Sequence, residues 1–102
     1  KEIAAVYGKQ FGLTPRSMRV TDIANGWGSC GPEGSILINW HLIFAPMKVL
    51  EYVVAHELVH LRHRSHGPEF WELLGHILPD FQVPKAWLAR YQSALSANFL
   101  AL

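Results

Sequence analysis

Residues 53–71 read VVAHELVHLRHRSHGPEFW and place four of the chain's six histidines within eleven positions. Apolar residues recur at steps of three and four between residues 50 and 61, which is the spacing of one helix face. Pro46 precedes the segment, and proline is tolerated in the first turn of a helix because its missing N–H had no intrahelical partner. The pattern predicts a helix over residues 47–64 that carries three of these four histidines.

Two of these histidines have the spacing of paired metal ligands. Residues four apart lie on one face of a helix about one turn from each other, so His56 and His60 can bind the same ion. Glu57 is rotated about 100° from His56 and lies beside the pair. This is the H-E-x-x-H pattern, in which zinc acidifies a water molecule and the glutamate acts as general base. We predict His56 and His60 as metal ligands and Glu57 as the catalytic base.

A third protein ligand should return from beyond the helix. His63 continues the same stripe, but on a straight helix it stands about 10 Å from His56, too far for two bonds of about 2 Å to one ion. We expect His63 to lie at the rim or to support a ligand. His66 stands just before Gly67-Pro68, where the chain must leave the helix and reverse. We predict His66 as the third ligand, with water completing a tetrahedron.

Acidic residues after the motif offer an alternative third ligand, because some zincins use a glutamate from a later helix. Glu69 and Glu72 are the candidates, and we prefer His66 as the simpler ligand set. Glu72 and His76 are four residues apart and are predicted to form a solvated helix face. His41 is interpreted as ordinary loop polarity.

The wider spacing H-E-x-x-H-x-x-H-x-x-H is similar to the metzincin ligand pattern. Metzincins have glycine where this chain has His63, and their Met turn follows the motif, whereas Met18 and Met47 both precede it. We therefore expect a three-histidine ligand set in a protein that is not a metzincin.

Composition predicts one folded domain over residues 1–102, since 50% of the residues are hydrophobic and 17% are charged. A formal net charge of +1 gives no general attraction to nucleic acid, although Arg62 and Arg64 could form a local basic patch. Cys30 is the only cysteine, so an internal disulfide is impossible, and we do not expect it to act as a nucleophile. No apolar run is long enough to span a bilayer, and we expect a cytoplasmic protein without membrane contact.

The remaining elements predict an α+β fold in which a small sheet packs on helices. Two strand candidates flank the ten-residue segment NGWGSCGPEG, which suits a loop joining antiparallel strands. In chain order the predicted elements are a helix within residues 1–13, strands at 17–24 and 35–40, and, after the histidine-bearing helix, helices at 69–78 and 84–100.

The segments WGSC, INW, LIFAP and LPDF, together with residues 52–71, resemble the YgjP-like metallopeptidase domain, also described as the DUF45 or SprT/WSS-like group. The resemblance runs from the first helix through AWL at residues 86–88. It implies a minimal zincin-like fold, with a small antiparallel sheet packed on the active-site helix and further helices. It also implies Zn²⁺ at the three histidines, Glu57 as catalytic base, and a peptide or protein substrate.

The resemblance also implies a set of substrate-binding residues. Zincins bind extended peptides along an edge strand, so residues 36–40, including Asn39 and Trp40, are a candidate rim. Family members often have basic residues before WGSC, where this chain has Ala24-Asn25-Gly26, and many have a longer β-rich N-terminal region. The loop residues implied near the cleft are Trp27, Gly28, Ser29 and Cys30.

Three functions follow from these residues. The leading hypothesis is a zinc-dependent peptidase, although nickel, cobalt or iron would also suit histidine ligands. The second is a nucleotide phosphohydrolase in which Arg62 or Arg64 holds phosphate. The third is a non-catalytic, metal-stabilised module that binds protein or DNA. Glu57 disfavours the third, because a structural zinc site normally has four protein ligands and no open position.

Overall fold

The computed structural model describes residues 2–23 and 26–95 as an α+β fold of four α-helices, one 3-10 helix and three strands. The predicted α+β class is confirmed. The elements are α1 (Glu2–Phe11), β1 (Ser17–Thr21), β2 (Gly28–Cys30), β3 (Ser35–Asn39), the 3-10 helix Trp40–Phe44, α2 (Met47–Val59), α3 (Pro68–Ile77) and α4 (Gln82–Leu95).

The sheet is mixed, with strand order β1-β3-β2. β1 pairs with β3 in parallel, from Ser17 opposite Ser35 to Thr21 opposite Asn39. The prediction of a purely antiparallel sheet is therefore wrong for this pair. The glycine-rich segment contains a strand of its own, β2, which forms an antiparallel hairpin with β3 and so turns the chain back into the direction of β1. Gly34, with φ of 91°, provides the left-handed residue of that turn.

The central position of β3 overturns a second expectation. Residues 36–40 do not offer a free edge for a peptide, because β3 is hydrogen-bonded on both sides. Its apolar side chains serve the core instead, since Ile36 and Ile38 are 0% and 2% exposed. On the side of the sheet away from β1, the edge strand is β2, which consists of the small residues glycine, serine and cysteine.

The helix α2 lies at the centre of the fold and packs against α1, α3, α4, β2 and β3. Because neighbours cover it on several sides, its buried residues extend beyond a single stripe and include Val53, Leu58 and Val59. The chain leaves α2 earlier than predicted. α2 ends at Val59 instead of continuing to residue 64, and the following amides of Leu61 and Arg62 bond to carbonyls three residues back.

Other boundaries differ from the sequence prediction by a few residues. α4 begins at Gln82, two residues before the predicted start at Pro84, and residues 96–100 of the predicted helix lie outside the described part of the chain. The 3-10 helix was not predicted. Asn39 caps it by accepting a hydrogen bond from the His41 amide at 3.0 Å. No helix in the described ranges combines the length and hydropathy needed to cross a bilayer.

Core packing around α2 predicts a large effect of truncating Leu58, which is 0% exposed. Leu58→Ala is expected to lower the free energy of unfolding by about 2–5 kcal/mol, because it leaves a cavity in the core. Urea denaturation of the metal-free protein measures the change. Ile43→Ala is the control, since Ile43 is 67% exposed, and it should change stability by less than about 0.5 kcal/mol. Equal effects of the two substitutions would contradict this packing.

Candidate metal centre

Three imidazoles meet where α2 ends and the chain returns toward α3. We call His56, His60 and His66 the histidine cluster. The Nε2 atom of His66 lies 3.1 Å from Nε2 of His60 and 3.2 Å from Nε2 of His56. Tetrahedral zinc with bonds of about 2.0–2.1 Å separates two ligand nitrogens by about 3.3 Å. The two separations from His66 therefore match those of a zinc tetrahedron, the ligand atoms of all three histidines lie within 4.8 Å of one another, and no further His, Cys, Asp or Glu of the described residues joins them as a fourth ligand.

The Nδ1 atoms of the two helix histidines face acceptors. Nδ1 of His60 donates to the His63 carbonyl at 3.0 Å, and Nδ1 of His56 lies 3.4 Å from Oε2 of Glu57. An imidazole protonated at Nδ1 presents the lone pair of Nε2 to a metal. Burial is the largest influence on His60 and lowers its pKa below the ordinary value, which favours the neutral ligand form. His63 thus contributes its carbonyl, while its ring lies outside the histidine cluster.

Phe70, in the first turn of α3, forms the buried floor of the histidine cluster. Its side chain is 0% exposed. Its ring centroid lies 4.9 Å from that of His56, 4.6 Å from that of His60 and 4.8 Å from that of His66. These are aromatic packing distances, so one ring contacts all three candidate ligands. The sequence analysis identified no role for Phe70 at the site.

Trp71 holds the segment that carries His66. Its indole Nε1 donates to the His66 carbonyl at 3.1 Å, and the two rings stack with centroids 5.7 Å apart. Both aromatic residues lie within three positions of Pro68, in the first turn of α3 after the reversal at Gly67-Pro68. Their position just after this turn was the sequence signal that could have indicated that Phe70 and Trp71 support His66. The alternative ligands Glu69 and Glu72, on the same helix, are not part of the cluster.

Glu57 lies on α2 beside the cluster and is 6% exposed. The backbone of β2 approaches it closely at Gly28. A Cβ atom at residue 28 would stand 3.1 Å from Cγ and Oε2 of Glu57 and 3.1 Å from Cγ1 of Val53. Any larger residue at position 28 would therefore require Glu57 or Val53 to shift by a few tenths of an ångström. Together with Ser29 and Cys30, Gly28 lines one cavity with the histidine cluster and Glu57.

A second cavity, which we call the side pocket, adjoins Glu57 and His56. It has a volume of about 290 Å³ and lies between α2, α4 and Trp27. Burial, with the negative charge of Glu57 as a smaller cause, raises the pKa of Tyr52 in its wall to about 12, so this phenol stays protonated. Five residues of α2 and α4 that line the side pocket were not predicted from the sequence: Tyr52, Val53, Lys85, Leu88 and Ala89.

Asn39 and Trp40 do not lie where the sequence analysis placed them. Asn39 is 1% exposed, and its Nδ2 donates to the Gly26 carbonyl at 3.0 Å, so it holds the preceding loop. Trp40 stacks on His41 with ring centroids 4.1 Å apart and lines neither cavity. Asn39 therefore does not lie on a free strand edge, because β3 is the central strand of the sheet, and a substrate-binding role of Asn39 and Trp40 stays a prediction.

The two arginines after α2 are engaged with backbone carbonyls. Arg64 donates to the carbonyls of Cys30 at 2.9 Å, Gly31 at 3.2 Å and His60 at 3.3 Å. Arg62 donates to the Phe11 carbonyl at 3.1 Å. Arg64 thus joins β2 to the end of the metal-bearing helix, and the two guanidinium groups contact different parts of the fold.

Burial is the largest influence on the Cys30 thiol and raises its pKa above the ordinary value, despite the neighbouring Arg64. The thiol therefore stays protonated at neutral pH. This chemistry agrees with the expectation that Cys30 is not a nucleophile.

The α+β fold and the histidine cluster together define a domain of the metallopeptidase type. The sequence model of the YgjP-like, metallopeptidase domain family matches residues 1–91, and the chain belongs to this family, which confirms the resemblance. The fold is similar to the crystal structure of the metallopeptidase zymogen of Pyrococcus abyssi abylysin, with a TM-score of 0.75 over 93% of each chain and 17% sequence identity. No curated protein matches the chain.

The positions of the four neighbouring histidines predict different effects on metal affinity. His66→Ala should weaken zinc binding by at least about 100-fold, because it removes one of three nitrogens. His63→Ala should change affinity by less than about three-fold, because only the carbonyl of residue 63 supports the cluster. Competition with a zinc-binding dye measures both. Equal losses in the two variants would contradict the assignment of His66.

The contacts of Arg64 predict that it protects β2. In Arg64→Ala, amide hydrogen exchange in β2 should accelerate about ten-fold, which corresponds to losing about 1.4 kcal/mol of hydrogen bonding to a charged group. Arg64→Lys should recover part of the protection, since it keeps the charge but not the planar fork. Arg62→Ala is the control, because its partner is on α1. Unchanged exchange in Arg64→Ala would rule out this role.

Proposed function

We propose that this chain is a zinc-dependent peptidase in which Glu57 is the general base. The observation that carries the proposal is a buried carboxylate beside three imidazole nitrogens that have the spacing of zinc ligands. Zinc bound by the histidine cluster would supply a water molecule of pKa near 7 and polarise the scissile carbonyl.

Glu57 moves the proton in the proposed reaction. Its carboxylate takes a proton from the attacking water and delivers it to the leaving nitrogen. Its position in the cavity that the histidine cluster lines supports this role. At 6% exposure the carboxylate is also largely shielded from bulk water, which strengthens its electrostatic interactions with the reacting groups.

The edge strand β2 is the proposed site for the substrate backbone. An extended peptide can add to a free strand edge through main-chain hydrogen bonds. β2 has β3 on one side only, and its three residues line the cavity of the histidine cluster. A peptide paired with β2 would therefore pass the cluster, and the substrate is proposed to be an extended peptide or protein segment.

The two alternative functions have less support. Arg62 and Arg64 donate to backbone carbonyls, so neither guanidinium is free of partners in the way a phosphate site requires. A purely structural zinc site would have four protein ligands. Among the described residues the group has three, and a buried glutamate lies beside them.

The role of Glu57 predicts the outcome of Glu57→Gln. Turnover of a peptide library, followed by mass spectrometry, should fall by about 10²–10⁴-fold, because the amide cannot act as a base. Zinc content, measured by plasma mass spectrometry, should stay near one per chain, because Glu57 is not in the ligand group. Glu72→Gln, on the exposed side of α3, is the matched control. Undiminished turnover, or loss of zinc together with activity, would contradict the proposed base.

A further inference from the structure

The side pocket is placed to receive one particular substrate residue. For Glu57 to return a proton, the leaving nitrogen must come within about 2.6–3.2 Å of its carboxylate. The residue that supplies this nitrogen is therefore the part of the substrate nearest to Glu57. Because Glu57 also forms a wall of the side pocket, the side chain of that residue is the one that can enter.

The walls of the side pocket combine apolar side chains with a few ionisable groups. Tyr52, Val53 and Leu88 are buried side chains that suit an aliphatic stem. The ionisable wall groups are the Tyr52 phenol, which stays protonated, His56 and Glu57, which belong to the proposed reaction, and Lys85, which does not. Lys85 is the cation that the proposed mechanism leaves unused.

The ring of Trp71 contacts both Lys85 and the histidine cluster. Its Nζ lies 5.0 Å from the centre of the Trp71 ring, a cation–π arrangement, and the same ring stacks on His66. Among the side chains that the structure describes, those of residues 5–23 and 26–90, no carboxylate lies within 4.0 Å of Nζ. Lys85 is therefore a cation of the pocket wall that lacks an anionic partner among the described side chains.

We propose that Lys85 is a specificity-determining residue that selects a carboxylate on the substrate residue C-terminal to the cleaved bond. This inference rests on the proposed peptidase function and names the substrate class of the same site. The carboxylate is either that residue's own acidic side chain or the free C-terminus of a peptide that ends there. Glu57 would repel an anion deeper in the pocket. The substrate carboxylate is therefore attracted to the side of the pocket where Lys85 lies.

The test compares pairs of peptides that differ at one group, and mass spectrometry follows their cleavage. One pair has Glu or Gln after the cleaved bond with an amidated C-terminus, and the other ends at Leu with a free or amidated C-terminus. The zinc-loaded wild type should show a kcat/KM about two- to five-fold higher for the carboxylate member of one pair, as expected for a solvent-exposed ion pair. The responding pair identifies the source of the carboxylate. The ratio should shrink at high NaCl concentration.

Charge variants assign the preference to Lys85. Lys85→Gln should bring the ratio to about one, and Lys85→Glu should invert it. Lys48→Gln, an exposed lysine of α2 outside the side pocket, makes the same charge change and should keep the wild-type ratio. Equal rates for both members of both pairs, or a preference that survives Lys85→Gln at equal zinc content, would overturn the inference.

A binding measurement separates this inference from the proposed function. Peptides that begin with Glu or Gln correspond to the product carrying the new amine, and tryptophan fluorescence reports their Kd. A wild type that cleaves no peptide would refute the peptidase proposal. The Kd ratio of the two peptides and its loss in Lys85→Gln would then decide the role of Lys85 independently, and equal Kd values would overturn it.

Discussion

The contact of one buried ring with three imidazoles is the constraint on which the site depends. Phe70 belongs to α3. His56 belongs to α2, His60 directly follows α2, and His66 lies on the segment between α2 and α3. The packing of α3 against α2 therefore determines whether the three nitrogens meet. Trp71 adds a hydrogen bond from α3 to the backbone of His66, so α3 fixes that ligand by both its ring and its carbonyl.

The close approach of β2 to α2 positions the strand edge that is proposed to bind the substrate. Glycine at residue 28 lets β2 lie against α2 without displacing the nearest atoms, which belong to Glu57 and Val53. The short length of β2 also limits the exposed edge to three residues, which reduces the risk of pairing with other chains. The strand proposed to bind a peptide and the helix that carries the proposed base are thus positioned by the same contact.

Local geometry explains which parts of the site could be predicted from the sequence. The relation of His56, Glu57 and His60 follows from helix periodicity alone, and Gly67-Pro68 marks the reversal that returns His66. The α+β class likewise followed from element patterns. The parallel pairing of β1 with β3 could not be predicted, because it depends on a three-residue strand inside a glycine-rich segment that has no periodic signal. The side pocket was missed because α4 contacts α2 only through tertiary packing.

Arg64 gives the fold a thermodynamic link between its two binding surfaces. One guanidinium contacts the carbonyl of His60, a candidate metal ligand, and the carbonyl of Cys30 in the edge strand. If zinc and a peptide bind at these two surfaces as proposed, a coupling through Arg64 would be reciprocal, so a bound peptide would raise zinc affinity by the same factor by which zinc raised peptide affinity. A cell short of zinc would then retain the metal preferentially in those molecules that are engaged with substrate.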